Sequence, residues 1–296
     1  MQTGLNWKRV LMMLPAVLFF AFFALIPLVT AVYYSGLSWN GIGPSQWVGV
    51  QNWTSVFQDG TAGHAILLTV EIMVLSWIFQ TPLSLLIGVF LAGEQKHRAV
   101  FGVFYFVPLL FSAVAIGVTW ENILMPGYGL LDSLLQSVGI GSGEENWLGN
   151  SRIALVVLAM LIAWQFIPFH SLLYQGGAKQ IPDSLYEAAK IDGANPWTTF
   201  FSITLPQLKY TIITSSILIL TGSLTYFDLI YVTTEGGPGN STTILPMDMY
   251  KEAFLDQSIG RGSVLAIILA VAGVVLSLVI LRFSRFTQME SQLEGV

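Results

Sequence analysis

The sequence predicts an all-α membrane protein with six transmembrane helices and both termini on the cytoplasmic side. Three observations carry that prediction. Hydrophobic residues make up 54% of the chain and charged residues only 10%, against about 25% charged in soluble domains. Six stretches are apolar over the length a helix needs to cross the hydrocarbon core, roughly 20 residues. Finally, most of the 12 Lys and Arg residues fall on one side of those stretches, the side that the positive-inside rule makes cytoplasmic.

The six stretches are 11–34, 66–92, 100–120, 153–176, 211–232 and 262–283. The second contains Gln80 and Pro82, and the fourth contains Gln165, Pro168 and His170. Backbone in lipid must satisfy its own hydrogen bonds, so each is expected to be a helix. No period-two alternation supports a transmembrane barrel. Lys8 and Arg9 precede the first stretch, and Lys96 and Arg98 follow the second. Lys179, Lys190 and Lys209 follow the fourth, and Arg282 and Arg285 close the last. Only Arg152, Lys251 and Arg261 remain for the other side. The first stretch lacks a small-residue cleavage site, so it reads as a retained anchor. Trp39, Trp47, Trp53 and Trp147 fall in the outer loops, as interface residues do. No internal repeat divides the chain, which reads as one membrane domain, residues 1–296.

Several function classes are excluded. There are no cysteines, so disulfide and thiol chemistry are absent. His64, His97 and His170 lack metal-ligand spacing. No run of bases suggests nucleic acid, no catalytic constellation is evident, and no phosphate-binding G-x-x-x-x-G-K-[ST] occurs.

The connection between the fourth and fifth stretches, residues 178–210, is long and heavily punctuated. Ser184 followed by Glu187 fits a capping box, with Pro182 and Asp183 just ahead. Gly193 suits a left-handed helix end, and Asn195-Pro196 a second start. The expectation is a short helix, a tight turn and a second short helix ending at Leu205-Pro206. On composition alone this is equally an amphipathic loop lying on the membrane.

Glu187-Ala188-Ala189, Asp192-Gly193-Ala194, Phe201, Ile203 and Leu205-Pro206 resemble the EAA loop of bacterial ABC importer permeases. Two further stretches resemble the sugar branch of that family, its maltose- or glycerol-phosphate-type first permease. One is Thr234-Glu235-Gly236-Gly237-Pro238 with Thr242, Thr243, Tyr250, Ala253 and Phe254. The other is Pro15, Pro27, Tyr34 and Ser35 with residues 47–53. The chain departs from the family pattern at Glu235 and Trp53.

The resemblance implies a type I ABC importer permease fold in the bacterial inner membrane, in a multi-pass arrangement. It also implies a coupling loop in which Ser184, Glu187, Ala188, Ala189, Asp192 and Gly193 meet a cytoplasmic ATPase, with Leu205 and Pro206 fixing the exit into the fifth span. The implied partners are a second permease, two copies of the ATPase, an extracytoplasmic sugar-binding protein and membrane lipid. ATP and Mg belong to the ATPase, and this chain carries no cofactor and no catalysis of its own.

In the resembling family the fourth and fifth spans line the sugar path. Trp164, Gln165 and Phe169, with Ser223, Tyr226 and Phe227, would then present aromatic faces and hydrogen-bonding groups to a di- or oligosaccharide. The same aromatics equally serve packing. Polar groups at membrane depth otherwise comprise Glu71, Gln80, His170, Thr225 and Asp228. His170 reads as a helix-packing residue and Asp228 as water-facing. Asp248, Glu252 and Asp256 recur at every fourth position and read as a solvated helix face, or as a contact for the binding protein. Two further readings stay open: an ABC importer for an amino acid or polyamine, and an ion-coupled secondary transporter using Glu71 or Asp228.

Overall fold

The computed structural model describes residues 7–93, 95–140 and 145–284, and Arg285 lies outside them. In chain order the helices are α1 (Trp7–Phe20), α2 (Ile26–Ser35), α3 (Gln51–Gln58), α4 (Thr61–Leu91), α5 (Lys96–Tyr105), α6 (Ala113–Ile123), α7 (Leu130–Ser137), α8 (Ala154–Ala178), α9 (Asp183–Ile191), α10 (Pro196–Thr199), α11 (Leu205–Gln207), α12 (Lys209–Gly222), α13 (Asp228–Thr233), α14 (Leu245–Tyr250) and α15 (Ile259–Ser284). A two-stranded antiparallel ribbon, β1 (Leu37–Ser38) with β2 (Gln46–Trp47), pairs Leu37 with Trp47 and Ser38 with Gln46.

Among the described residues four helices are long and apolar enough to cross a membrane: Leu11–Ser35, Thr61–Leu91, Ala154–Ala178 and Ile259–Arg282. They agree with four of the six predicted stretches. The other two are each a sharply bent pair, Lys96–Leu110 with Ala113–Ile123 and Pro196–Gln207 with Lys209–Thr225, the latter turning by 67°. The number of spans reaches six if each bent pair is counted as one. Continuous helices over 100–120 and 211–232 are therefore a correction. The first is interrupted at Phe111 and Ser112, where Phe111 is extended and the Ser112 hydroxyl caps α6 by accepting the Ala115 N–H. The second stops at Tyr226.

Two π-turns share one cause. Ala21–Leu25 closes through the Ile26 N–H onto the Ala21 carbonyl, just ahead of Pro27. Phe200–Thr204 closes through the Leu205 N–H onto Phe200, just ahead of Pro206. A proline ring crowds the carbonyl four residues back and offers it no N–H, so a widened turn takes up the misfit.

The described residues form two compact units, one made of those up to 64 with 248–271 and the other of those in 65–247 with those from 272 on. In the first, the Asn52 side-chain amide donates to the carbonyls of Ser35 and Leu37, both at 2.8 Å, and the Ile259 N–H donates to Trp39 O at 3.0 Å. Arg261 bonds Glu252 at 2.7 and 2.9 Å and also pairs with Asp59. No residue between Leu11 and Tyr34 is buried.

In the second unit, a core of Leu85, Tyr174, Ala178, Ile181 and Leu208 ties the end of α4 to the end of α8 and the start of α12. The two long helices cross closely at Gly88. A Cβ there would stand 2.6 Å from the Ser171 carbonyl and the Tyr174 Cβ, so only glycine fits, as at many helix crossings in membranes.

Candidate functional site

Two regions of the second unit collect the residues singled out from the sequence. The first is the connection from α8 to α12. Pro182 stands outside α9 in an extended conformation, Asp183 is already helical, and no side chain caps the start. The expected capping box of Ser184 with Glu187 is therefore not formed. The helix begins ahead of Ser184, which becomes a first-turn residue, while Asp183 places a carboxylate at the positive end of the helix dipole.

The far end is as expected. Gly193 has φ +73°, its N–H meets Lys190 O at 3.1 Å, and the Ala194 N–H meets Ala189 O at 2.9 Å. This paired closure needs a left-handed residue, which glycine adopts without steric penalty. Asn195 then caps α10, its side-chain oxygen accepting the Thr198 N–H at 2.8 Å, with Pro196 in the first turn.

Tyr186 anchors α9. Its ring packs on the core and its hydroxyl lies 3.1 Å from that of Thr204. Ala189, three residues on, lies on the same side and is buried, so it leaves the expected docking surface. Ser184, Glu187, Ala188, Asp192 and Gly193 are exposed, Leu205 is half-buried and Pro206 exposed. Composition did not single out the apolar residues displayed beside them. Ile191 is 86% exposed and Trp197 72% exposed, and the Trp197 ring stacks on Phe201 at 6.2 Å.

The second region is the break in the fifth span. After α12 a single 3₁₀ turn, Ser223–Thr225, leads to Tyr226, whose ψ of 85° leaves the helix, and α13 restarts at Asp228. The Ser223 hydroxyl donates to Ile219 O at 2.7 Å and the Thr225 hydroxyl to Gly222 O at 2.8 Å. Hydroxyls of this kind satisfy carbonyls where a helix bends or ends in lipid.

A cavity of about 540 Å³ opens beside the break. Gln165, Phe169, Tyr226 and Phe227 all line it, four of the six predicted pathway residues. Trp164 does not: it is 42% exposed and meets Trp120 edge-on at 5.4 Å. Nor does Ser223, whose buried hydroxyl is used by its own helix. Tyr226 is held from two sides, stacked on Phe166 at 6.0 Å and accepting from the Gln80 amide at 3.3 Å.

Three polar residues set aside in the sequence reading also line the cavity: His170, Thr225 and Asp228. His170 Nδ1 is 3.0 Å from the Ser215 hydroxyl. Their signal was polarity at membrane depth; for Thr225 and Asp228 the assumption of a continuous fifth span hid their place, whereas His170 lies on the unbroken α8.

The segment after α13 is held largely by its own hydroxyls and is tied to α4 where the Leu245 N–H donates to the Thr69 hydroxyl at 2.8 Å. The hydroxyls of Thr234 and Thr242 lie 2.8 Å apart, Thr242 donates to Gly237 O at 2.8 Å, and Thr243 donates to Gly236 O at 2.9 Å. The acids that follow are not a solvated face, which corrects the expectation. Asp248 is buried, Glu252 is held by Arg261, and only Asp256 is exposed. Burial, reinforced by the nearby charges of Glu252 and Asp59, raises the Asp248 carboxyl to about 6.

Residues 84–287 match the family described as binding-protein-dependent transport system inner membrane component. The chain is 32% identical over 276 residues to the probable ABC transporter permease protein YurN of Bacillus subtilis, covering 92% of this chain and 94% of that one. It is 31% identical to the trehalose/maltose transport system permease protein MalF of Thermococcus litoralis, covering 93% of each. It is 29% identical to the multiple sugar-binding transport system permease protein MsmF of Streptococcus mutans, covering 94% of this chain and 95% of that one. Among solved structures, a chain of the bacterial alginate ABC transporter, in complex with a pentasaccharide-bound periplasmic protein, shares the fold with a TM-score of 0.82 at 22% identity, covering 94% of each.

Proposed function

The chain belongs to the family of binding-protein-dependent transport system inner membrane components, and from that premise we propose that it is the permease subunit of an ATP-driven importer for a di- or oligosaccharide. Support for a sugar comes from relatives named for trehalose/maltose, multiple sugars and diacetylchitobiose, each matching nine-tenths or more of this chain. The observation that carries the mechanism is α9: a short helix anchored by Tyr186, closed by Gly193 and displaying Glu187, Asp192 and Ile191 outward.

In this reading each bent pair is one span, giving six, with α9–α11 and both termini in the cytoplasm. A second permease completes the path, two ATPase subunits bind α9 and its counterpart, and an extracytoplasmic binding protein delivers the sugar. ATP and Mg are held by the ATPase, so hydrolysis lies outside this chain. Closure of the ATPase moves α9 as a rigid body. Because α9 is packed on the ends of α4 and α8, that motion reaches the cavity without passing through a flexible linker. The cavity sits at a discontinuous helix, where transporter sites characteristically form.

The test is purification of the chain from its host in mild detergent, followed by ATP-dependent uptake in proteoliposomes. A co-purifying ATPase and second permease, with sugar uptake abolished by ATP depletion, are the expected results. A chain that purifies alone and transports without ATP overturns the reading in favour of an ion-coupled carrier.

A further inference from the structure

The solved neighbour that shares this fold handles alginate, an acidic polysaccharide, so the fold leaves open the charge of the cargo. The lining of the cavity bears on it directly. Neither Lys nor Arg is among the described residues that line it. Asp228 lines it, is exposed to it and has no ion pair with any described residue. The other polar groups there, Gln165, His170, Thr225 and Tyr226, include no permanent positive charge.

We propose that this cavity selects its cargo by charge, with Asp228 as the specificity-determining residue that favours uncharged or amino-bearing sugars and rejects uronates, phosphates and sulfonates. The inference rests on the cavity being the sugar path. A carboxylate accepts hydrogen bonds from two neighbouring sugar hydroxyls, and charge-assisted bonds of this kind are roughly twice as strong as neutral ones. Against an anionic sugar the same group repels. Phe166, Phe169 and Phe227 supply faces for the apolar side of a pyranose. A bland alternative exists: Asp228 opens α13 and could serve only the dipole of that helix. The experiment therefore needs a readout that a dipole contact does not move.

The complete transporter, with its partner permease, ATPases and binding protein, is reconstituted in proteoliposomes. The saccharide carried by the purified binding protein is identified by mass spectrometry, and its ATP-dependent uptake is measured for wild type, Asp228→Asn and Asp228→Glu. An uncharged or amino sugar is expected. Asp228→Asn should raise the KM for uptake about 10- to 100-fold, and Asp228→Glu should recover part of that loss. A cargo bearing carboxylate, phosphate or sulfonate overturns the proposal, as does an unchanged KM in Asp228→Asn. Equal losses in the Asn and Glu variants, accompanied by loss of the assembled complex on size exclusion, assign Asp228 to α13 alone and also overturn it. Uptake that survives ATP depletion instead refutes the importer reading, so the two failures are distinguishable.

Discussion

The connections at the two ends of the fifth span are built on opposite plans. The one before it, residues 179–208, turns apolar groups outward: Ile191, Trp197 and Phe201 are all exposed. The one after it, residues 234–247, turns polar groups inward: Thr242 and Thr243 are buried and bonded to each other's neighbourhood. A loop whose threonine hydroxyls bond its own backbone is held chiefly from within. A loop that leaves large apolar groups uncovered is shaped to be covered by a partner. The contrast teaches that the two loops fail differently. Damage to the first should spare the fold and abolish coupling, and damage to the second should do the reverse.

The sharpest way to break that contrast is a charge in the first loop. Ile191→Asp should lower ATP-driven uptake by about 30-fold or more, the penalty typical of a lost interface anchor. The thermal unfolding midpoint of the purified chain should stay put, and a falling midpoint would erase the distinction. Next comes Thr242→Val in the second loop. It removes the hydroxyl that the Gly237 carbonyl accepts from, and should cost about 1–3 kcal/mol of stability in denaturant titration. Uptake per folded molecule should be unchanged.

Asp248, which follows the second loop, gives a pH test. Glu252, Asp59, Lys251 and Arg261 are the charged groups acting on it. Its carboxyl is raised in the folded chain, so the folded state binds the proton more tightly than the unfolded one. Stability should therefore fall as pH rises from about 4 to about 6, and level off above. Asp248→Asn should flatten that profile and gain about 1 kcal/mol at pH 7.5, read as a shift in unfolding midpoint. A profile unchanged by the substitution would show that the carboxyl is already solvated. The smallest effects distinguish the two helix starts of the first loop. Asn195→Ala should cost about 1 kcal/mol, whereas Ser184→Ala, which removes no cap, should cost less than about 0.5 kcal/mol by the same measure.

What the sequence made legible follows from how local each signal is. Apolar runs of 20 or more residues identify spans because hydrocarbon thickness imposes that length, and α4, α8 and α15 begin or end within a few residues of expectation. Gly193 and Asn195-Pro196 were readable because each performs its role through its own backbone or side chain. The break at Tyr226–Phe227 was not, because neither residue is a helix breaker. The hydroxyls of Ser223 and Thr225 hold the broken end, and such residues are as common in unbroken membrane helices. That missed break explains the site. Once the fifth span is cut there, Asp228 and Thr225 turn to the cavity, Ser223 turns away, and His170 joins from α8. The Ser184 cap failed for a different reason: Pro182 starts the helix earlier than the side-chain pattern suggests.

The π-turn at Phe200–Thr204 has a consequence for how this segment tolerates change. A π-turn holds one residue more than the α-helix around it, so it is equivalent to a single-residue insertion that the helix has absorbed. Deleting one residue there would leave an ordinary α-turn with nearly the same phase and rise beyond it, because a π-turn and an α-turn each close about one revolution. Leu205 and Leu208 would keep their places beside Tyr174, and the cost would fall on Pro206, which loses the widened turn ahead of it. A deletion in the regular helix on either side would instead swing every later side chain by about 100°. Phe200–Thr204 is thus slack between the exposed loop and the core, taking up a change of length by one without passing it on.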